Sequence, residues 1–436
     1  MIQSDSGIWY PAPLEKSNVI VPLTHRPRPM AVRFRTWICD GNGKIIREGQ
    51  SGWNTITDYG MDFIAGASCS AAINYLVVSS ALGPAKKVLS GGTTLSITST
   101  ADPTNLAVVA SANFFAAGDV NNTLYIDALG QELKIIAYTD QQHVTCATRP
   151  GVWLPGITPG TGPFATAGVH YTATNTVATE ITRFNSYDTT ATNNNVELTD
   201  YTNSRFIHQR IYLSGVVSGS PWTINQLAWS PNFGAGNNVF GKVNLVTPDN
   251  VAVGQKYRVQ LDLYSGYTPI NISSFSANWG ATIGTYDLQI RTEFISGDTA
   301  TNGGPPFLSP SFGSSSAGVY GTWFTTAAFT MHSAYFFGDP SGPTSGQLHA
   351  PAGSAAGASW SDASYVSNTF KKVRTWTIID TLTVTAATGI GLGAGGGNNQ
   401  YNQIFAVKPN SGTITKPSGY WAALSFPIYW TRAFVN

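Results

Sequence analysis

Catalysis without a cofactor needs nucleophiles, acids and bases at spacings that let them converge. His25, His143, His170, His208, His332 and His349 are scattered singly, with no partner at i+4 and no HExxH arrangement. Neither a zinc site nor a Ser–His–Asp relay finds support in that pattern. Cys39, Cys69 and Cys146 are widely spaced and form no CxxC pair, so they read as buried or half-buried thiols. Glu180, Glu197, Glu293 and Asp262 are carboxylates that would have to gather in pairs to hydrolyse a glycosidic bond. A glycosidase built as a parallel β-helix shows repeats of about 20 residues; the repeat visible here is 164 residues long. The glycine run at 391–397 resembles a phosphate-binding loop in composition, but it lacks the Lys and the amphipathic helix that such a loop needs. Residues 188–195 offer many Asp and Asn oxygens without EF-hand spacing, which leaves metal binding there open. The expectation is a protein that is not an enzyme and carries no cofactor.

Aromatic rings are the other chemistry on offer. Trp222, Trp229, Trp279, Trp376, Trp421 and Trp430 could stack on sugars, or could fill cores and interfaces. Trp323 and Trp360, together with Tyr335 and Phe336, stand apart. They lie in residues 303–364, a stretch rich in Gly, Ser, Pro and aromatics, and from 299 to 364 the chain has no Lys or Arg. A long segment of this kind is expected to be buried between subunits, or else to recognise a host-surface glycan.

The elements that position these residues are strands, and part of the chain is duplicated. Tyr201, Phe206 and Arg210 return as Tyr365, Phe370 and Arg374, each displaced by 164 positions. At the same displacement Tyr212 falls on Trp376, Val243 on Val407 and Tyr257 on Trp421. Rings and aliphatic residues recur while polar positions drift, which marks a repeated packing unit rather than a repeated active site. Composition agrees: 42% of the 436 residues are hydrophobic and only 11% are charged, against about 25% charged in typical soluble chains. The 45 Gly and 24 Pro suit turn-rich strands. The net charge of +1 argues against nucleic acid as a partner.

Four regions follow. Residues 1–30 read as an extended arm held open by prolines, whose Ile20, Val21 and Leu23 could dock on a neighbouring subunit. Residues 31–195 read as one domain with a small β insert at about 88–155, and 196–298 and 299–436 as the two β copies. Within the first domain Val32, Phe34, Thr36 and Ile38 alternate as in a strand, and residues 40–44 make a hairpin turn. Residues 57–68 form a helix with Asp58 as its cap. The fold class expected is mainly β: serial antiparallel β-sandwich or jelly-roll-like domains, one short helix near the N-terminus and an extended arm. No run is apolar enough to cross a bilayer as a helix, and residues 1–5 do not open like a signal peptide.

Residues 52–65, GWNTITDYGMDFIA, followed by INYLVV at 73–78, resemble an opening found in tailed-bacteriophage fibre and tail-associated proteins, where an N-x-I-T-x-x-G turn enters a short helix. VATEITR at 177–183 is similar to the N-E-x-x-R strand that follows there, and the F-x-I-x-W-x-R ending at 426–432 is similar to closing strands of phage β-domains. Residues 112–146, with Phe114, Asp119 and Val120, look like a small β-module that recurs as an insert in virion proteins. The chain departs from the pattern at Ser79, Ser80 and Ala81, where G-x-G is usual.

The resemblance implies a non-enzymatic structural component of a tailed phage or phage-tail-like particle: a tail fibre, collar or tail-tip protein, located in the virion after assembly in the host cytoplasm. Its partners would be further copies of itself, as a trimer foremost or as a ring, and other virion proteins, without nucleic acid or membrane insertion. A receptor- or glycan-binding adhesin and a capsid decoration protein are the alternatives.

Overall fold

In the opening strand Met30, Val32, Phe34, Thr36 and Ile38 are all buried, so one face is committed to a core by the two-residue period of a strand. The strand runs over Arg28–Cys39, which takes the last three residues of the expected arm into the core sheet. Asp40 then accepts bonds from the Asn42 and Lys44 amides, at 2.9 Å each, and Gly43 takes the left-handed conformation that turns the chain into Ile45–Ile56.

The computed structural model describes residues 2–3, 9–10, 16–20, 28–65, 69–154, 157–191, 194–200, 205–234, 236, 238–266, 273–291, 334–336, 358–378, 384–387, 390–396, 400–409, 414–417 and 419–432. It is mainly β, with antiparallel sheets and few helical turns. The main path of the largest sheet runs in the order Glu180–Phe184, Tyr75–Ser79, Trp222–Ser230, Gly241–Val251, Ile45–Ile56, Arg28–Cys39, Lys256–Gly266, Arg205–Leu213 and Asn195–Asp200. Arg28–Cys39 pairs along nearly its whole length with Lys256–Gly266, from Met30 opposite Ser265 to Cys39 opposite Lys256. The expected boundary at 195/196 therefore runs through one sheet and one core, because strands on both sides of it share Val32, Phe34, Tyr212, Trp229, Tyr257 and Leu261.

The insert is a separate small sheet with its own core. Seven strands, from Lys87–Val88 to Ala167–His170, enclose Leu106, Val108, Leu124, Leu133, Ile135, Val144 and Val169. It extends past the expected end at 155, since Ala167–His170 pairs with both Thr123–Ile126 and Lys87–Val88. Asp119 accepts from a turn amide, that of Ala116, at 2.9 Å and also pairs with Lys87. Phe115 is the buried ring there, and Phe114 packs beside it.

The duplicated segments take the same local topology. Asn195–Asp200, Arg205–Leu213 and Lys256–Gly266 lie side by side and antiparallel; so do Ala358–Asp362, Lys371–Ile378 and the closing strand Trp421–Arg432. Tyr212 stands opposite Val259, and its counterpart Trp376 stands opposite Leu424, one residue beyond strict repetition. The closing strand also pairs in parallel with Lys16–Ile20 and with the first residues of Arg28–Cys39. Residues 16–20 of the arm are thus a strand of this chain's own sheet, with Ile20 opposite Ser425, while Ile2–Gln3 and Trp9–Tyr10 pair only with each other; Val21 and Leu23 lie outside the described residues.

Thr179 enters the edge strand Glu180–Phe184 at φ 48, next to a register shift between Glu180 and Thr182. A β-branched residue fits the left-handed region poorly, whereas Asn tolerates it. Thr179→Asn, at an exposed position, is expected to raise the unfolding free energy by about 1 kcal/mol, read as a shift of the urea midpoint without a change in its slope.

Candidate functional site

Ile56, Thr57 and Asp58 carry the chain from a strand into the Asp58–Ile64 helix, and their side chains divide the work differently from the sequence expectation. Thr57, rather than Asp58, caps the helix: its hydroxyl accepts from the Gly60 amide at 3.0 Å and donates to the Val239 carbonyl at 2.6 Å. Gly60 must be glycine, since a Cβ there would sit 2.1 Å from the Phe240 carbonyl oxygen. Asp58 is thereby left to point away from its own helix, into a buried ion cluster.

That cluster holds two arginines and two carboxylates. Asp58 accepts from Arg432 at 2.6 Å and from Arg149 at 2.9 Å; Glu132 accepts from Arg432 at 2.7 Å, and its other oxygen lies 3.8 Å from Arg149 Nε. The formal charges cancel, which is the condition under which such groups tolerate withdrawal from water. Burial alone would raise the Asp58 carboxyl, but the Arg432 and Arg149 guanidiniums outweigh it and hold the group below its ordinary value. Arg432 is expected from sequence to cap an exposed edge; it is instead almost fully buried, because it is the only closing-strand cation that can answer both acids.

Phe370 lies against both guanidiniums, its ring centre 5.1 Å from Arg149 and 5.0 Å from Arg432. Trp430 packs against Phe370 and Tyr365 and donates to the Met61 carbonyl at 3.0 Å. Tyr365 and the Asn368 amide both bind the Asp62 carboxylate, at 2.6 and 2.7 Å. The junction thus ties the first helix, the insert, the 365–370 turn and the closing strand together.

Beside the junction lies an open cavity of about 320 Å³. Its floor is strand residues, among them Trp53, Asn54, Gln226, Lys242 and Asn244, and its wall is the two crossings into and out of the insert, at Pro84–Lys86 and His170–Tyr171. None of the described lining residues is acidic. Lys242 is buried and its ammonium is pushed down to about 8 by desolvation; its Nζ reaches the Thr176 carbonyl at 3.4 Å. Asn54 has both amide atoms shielded from solvent and without a hydrogen-bond partner. Gln226 donates to Asn244 at 2.8 Å, and Asn244 exchanges bonds with the Gly83 backbone, which fixes both amides in place. Tyr171 donates to Asp119 at 3.0 Å, and burial, with that carboxylate, pushes its hydroxyl up to about 12.

The expected recognition residues do not meet at this site. Trp323 lies outside the described residues; Tyr335 and Phe336 form a short strand opposite Gly391 and Ile390, and the Trp360 backbone pairs with Trp376. Trp229, Trp279 and Trp430 are buried, as core rings. Residues 391–396 are strand rather than a phosphate loop. Glu180 is committed to Arg183 and Asp262 to Gln260, and no group of three metal-binding side chains occurs among the described residues. The cavity residues carry no sequence signal beyond Asn54, which falls in the N-x-I-T turn. Comparison of the chain with protein-family models, curated proteins and solved structures gave no match.

Two outcomes test the electrostatics. Arg432→Met removes one partner from two buried acids and is expected to cost about 3–5 kcal/mol of stability in urea unfolding. The Asp58 contribution is present above its ordinary value of 3.8 and disappears as pH falls through the lower folded value. His170 is lowered from 6.5 to about 4, by burial first and then by the Lys86 and Arg432 charges, so the unfolded chain takes up that proton before the folded one does. Stability is expected to fall by on the order of 3 kcal/mol as pH drops through that window, and His170→Gln is expected to flatten this part of the stability–pH curve.

Proposed function

We propose that this chain is a non-enzymatic structural subunit of a tailed phage or phage-tail-like particle, a fibre, collar or tip protein acting as a homo-oligomer. One observation carries the reading. The two segments whose sequences resemble phage tail proteins, the N-x-I-T-x-x-G turn and the W-x-R ending, dock directly on each other. Arg432 donates to the Ile56 carbonyl at 2.7 Å and to Asp58, while Trp430 donates to Met61. Motif residues far apart in sequence thus serve one packing purpose, as a shared scaffold requires and as unrelated turn chemistry would not. The third segment joins the same framework: Arg183 binds Glu180 and donates to Ser230 at 2.9 Å, reaching over the intervening Tyr75–Ser79 strand.

Such a subunit works mechanically. Buried, charge-neutral junctions keep segments in register under load, and the outer strands Glu180–Phe184 and Asn195–Asp200 end the main sheet path with backbone groups that another chain can pair with. The 303–364 segment, with Trp323 and Trp360, extends the contact surface in this reading. The purified chain is expected to have the native mass of a trimer or closed ring by light scattering, and its particles to show repeating subunits by electron microscopy. A monomer at about 10 μM, a concentration at which stable obligate interfaces stay formed, counts against the proposal.

A further inference from the structure

The cavity beside the ion junction has the makings of a ligand site that the scaffold itself does not use. Its floor is a rigid sheet face in which Gln226, Lys242 and Asn244 stand on adjacent strands, with Gln226 directly opposite Asn244. Gly83 lies close over this floor, and a Cβ there would sit 2.3 Å from the Gln226 amide nitrogen and displace that side chain. Asn54 is held beside them; a Cβ on Gly241 would lie 2.9 Å from its amide nitrogen. A buried ammonium and an unpartnered amide in one concave site are costly to maintain and need an outside partner.

The chemistry of that partner is constrained. With Lys86 at the rim, Lys242 on the floor and no acid among the described lining residues, the site favours an anion. Primary side-chain amides match vicinal hydroxyls, which donate and accept at close spacing, and the Trp53 and Tyr171 rings border the site with apolar surface. None of the described lining residues belongs to a helix, so no helix N-terminus among them offers its amides to a phosphate. The cavity falls at the small end of ligand pockets, about the scale of one or two sugar rings. We propose that this groove binds a sugar acid, with the carboxylate between Lys242 and Lys86 and the ring hydroxyls along the polar floor formed by Gln226 and Asn244. All of its described lining residues belong to one chain, so its test does not depend on the assembly proposed above.

Titration of the full-length chain with D-glucuronate, D-galacturonate and N-acetylneuraminate, each beside its neutral carboxyl-reduced counterpart and inorganic phosphate, tests this by NMR or calorimetry. At least one acid is expected to bind saturably, with its neutral counterpart weaker by about tenfold or more. Lys86→Ala, at an exposed position, and Lys242→Met, whose unfolding midpoint is checked alongside, are each expected to weaken that acid to a similar extent. Three outcomes overturn the assignment: no saturable binding of any of the acids up to about 10 mM, equal binding of acid and neutral forms, or phosphate binding more tightly than all three. A native mass unchanged by the ligand leaves the assembly reading to its own test.

Discussion

Four charges withdrawn from water, Asp58, Glu132, Arg149 and Arg432, hold this architecture in register. The attraction inside such a cluster does little more than offset the cost of desolvating its members, so its main contribution is not bulk stability. Its contribution is specificity. Each acid is neutralised by cations delivered from other parts of the chain, and any misplacement of the insert or of the closing strand strands a buried charge. Apolar packing tolerates slippage that this arrangement does not.

The rings around the cluster follow from it. Phe370 adopts φ 48, a conformation that a bulky residue avoids. It is held there because its ring lies against two guanidiniums while its carbonyl accepts from the Trp430 amide at 3.1 Å. Local strain of about 1–3 kcal/mol is thus offset by contacts from distant segments. Phe370 is also the repeat counterpart of Phe206.

The cavity is a by-product of the same geometry. An insert with its own sheet and core has to leave and rejoin the main sheet, and both crossings pass over the same polar face. His170 shows how closely the parts are coupled: it belongs to the insert, lines the cavity, and feels the charge of Arg432 in the junction. A scaffold of this type places recognition chemistry on rigid strands rather than on a mobile loop, which favours a preformed site.

The mainly β class, the alternation of Val32, Phe34 and Ile38, the hairpin at Asp40 and the duplication were legible in the sequence, because each rests on local periodicity or turn chemistry. The turn at Asn54–Gly60 and the Trp430–Arg432 ending were legible as motifs, but not as two halves of one contact. Domain limits were legible least: a two-residue period identifies a strand and does not say which strand it will pair with, so the continuity of Arg28–Cys39 with Lys256–Gly266 could not be read from either segment. Asp58 looked like a helix cap and Arg432 like an edge charge because a sequence gives each ion its type and not its partner. Only the tertiary structure, by closing hundreds of residues of chain to bring them within 2.6 Å, decided that they neutralise each other out of water.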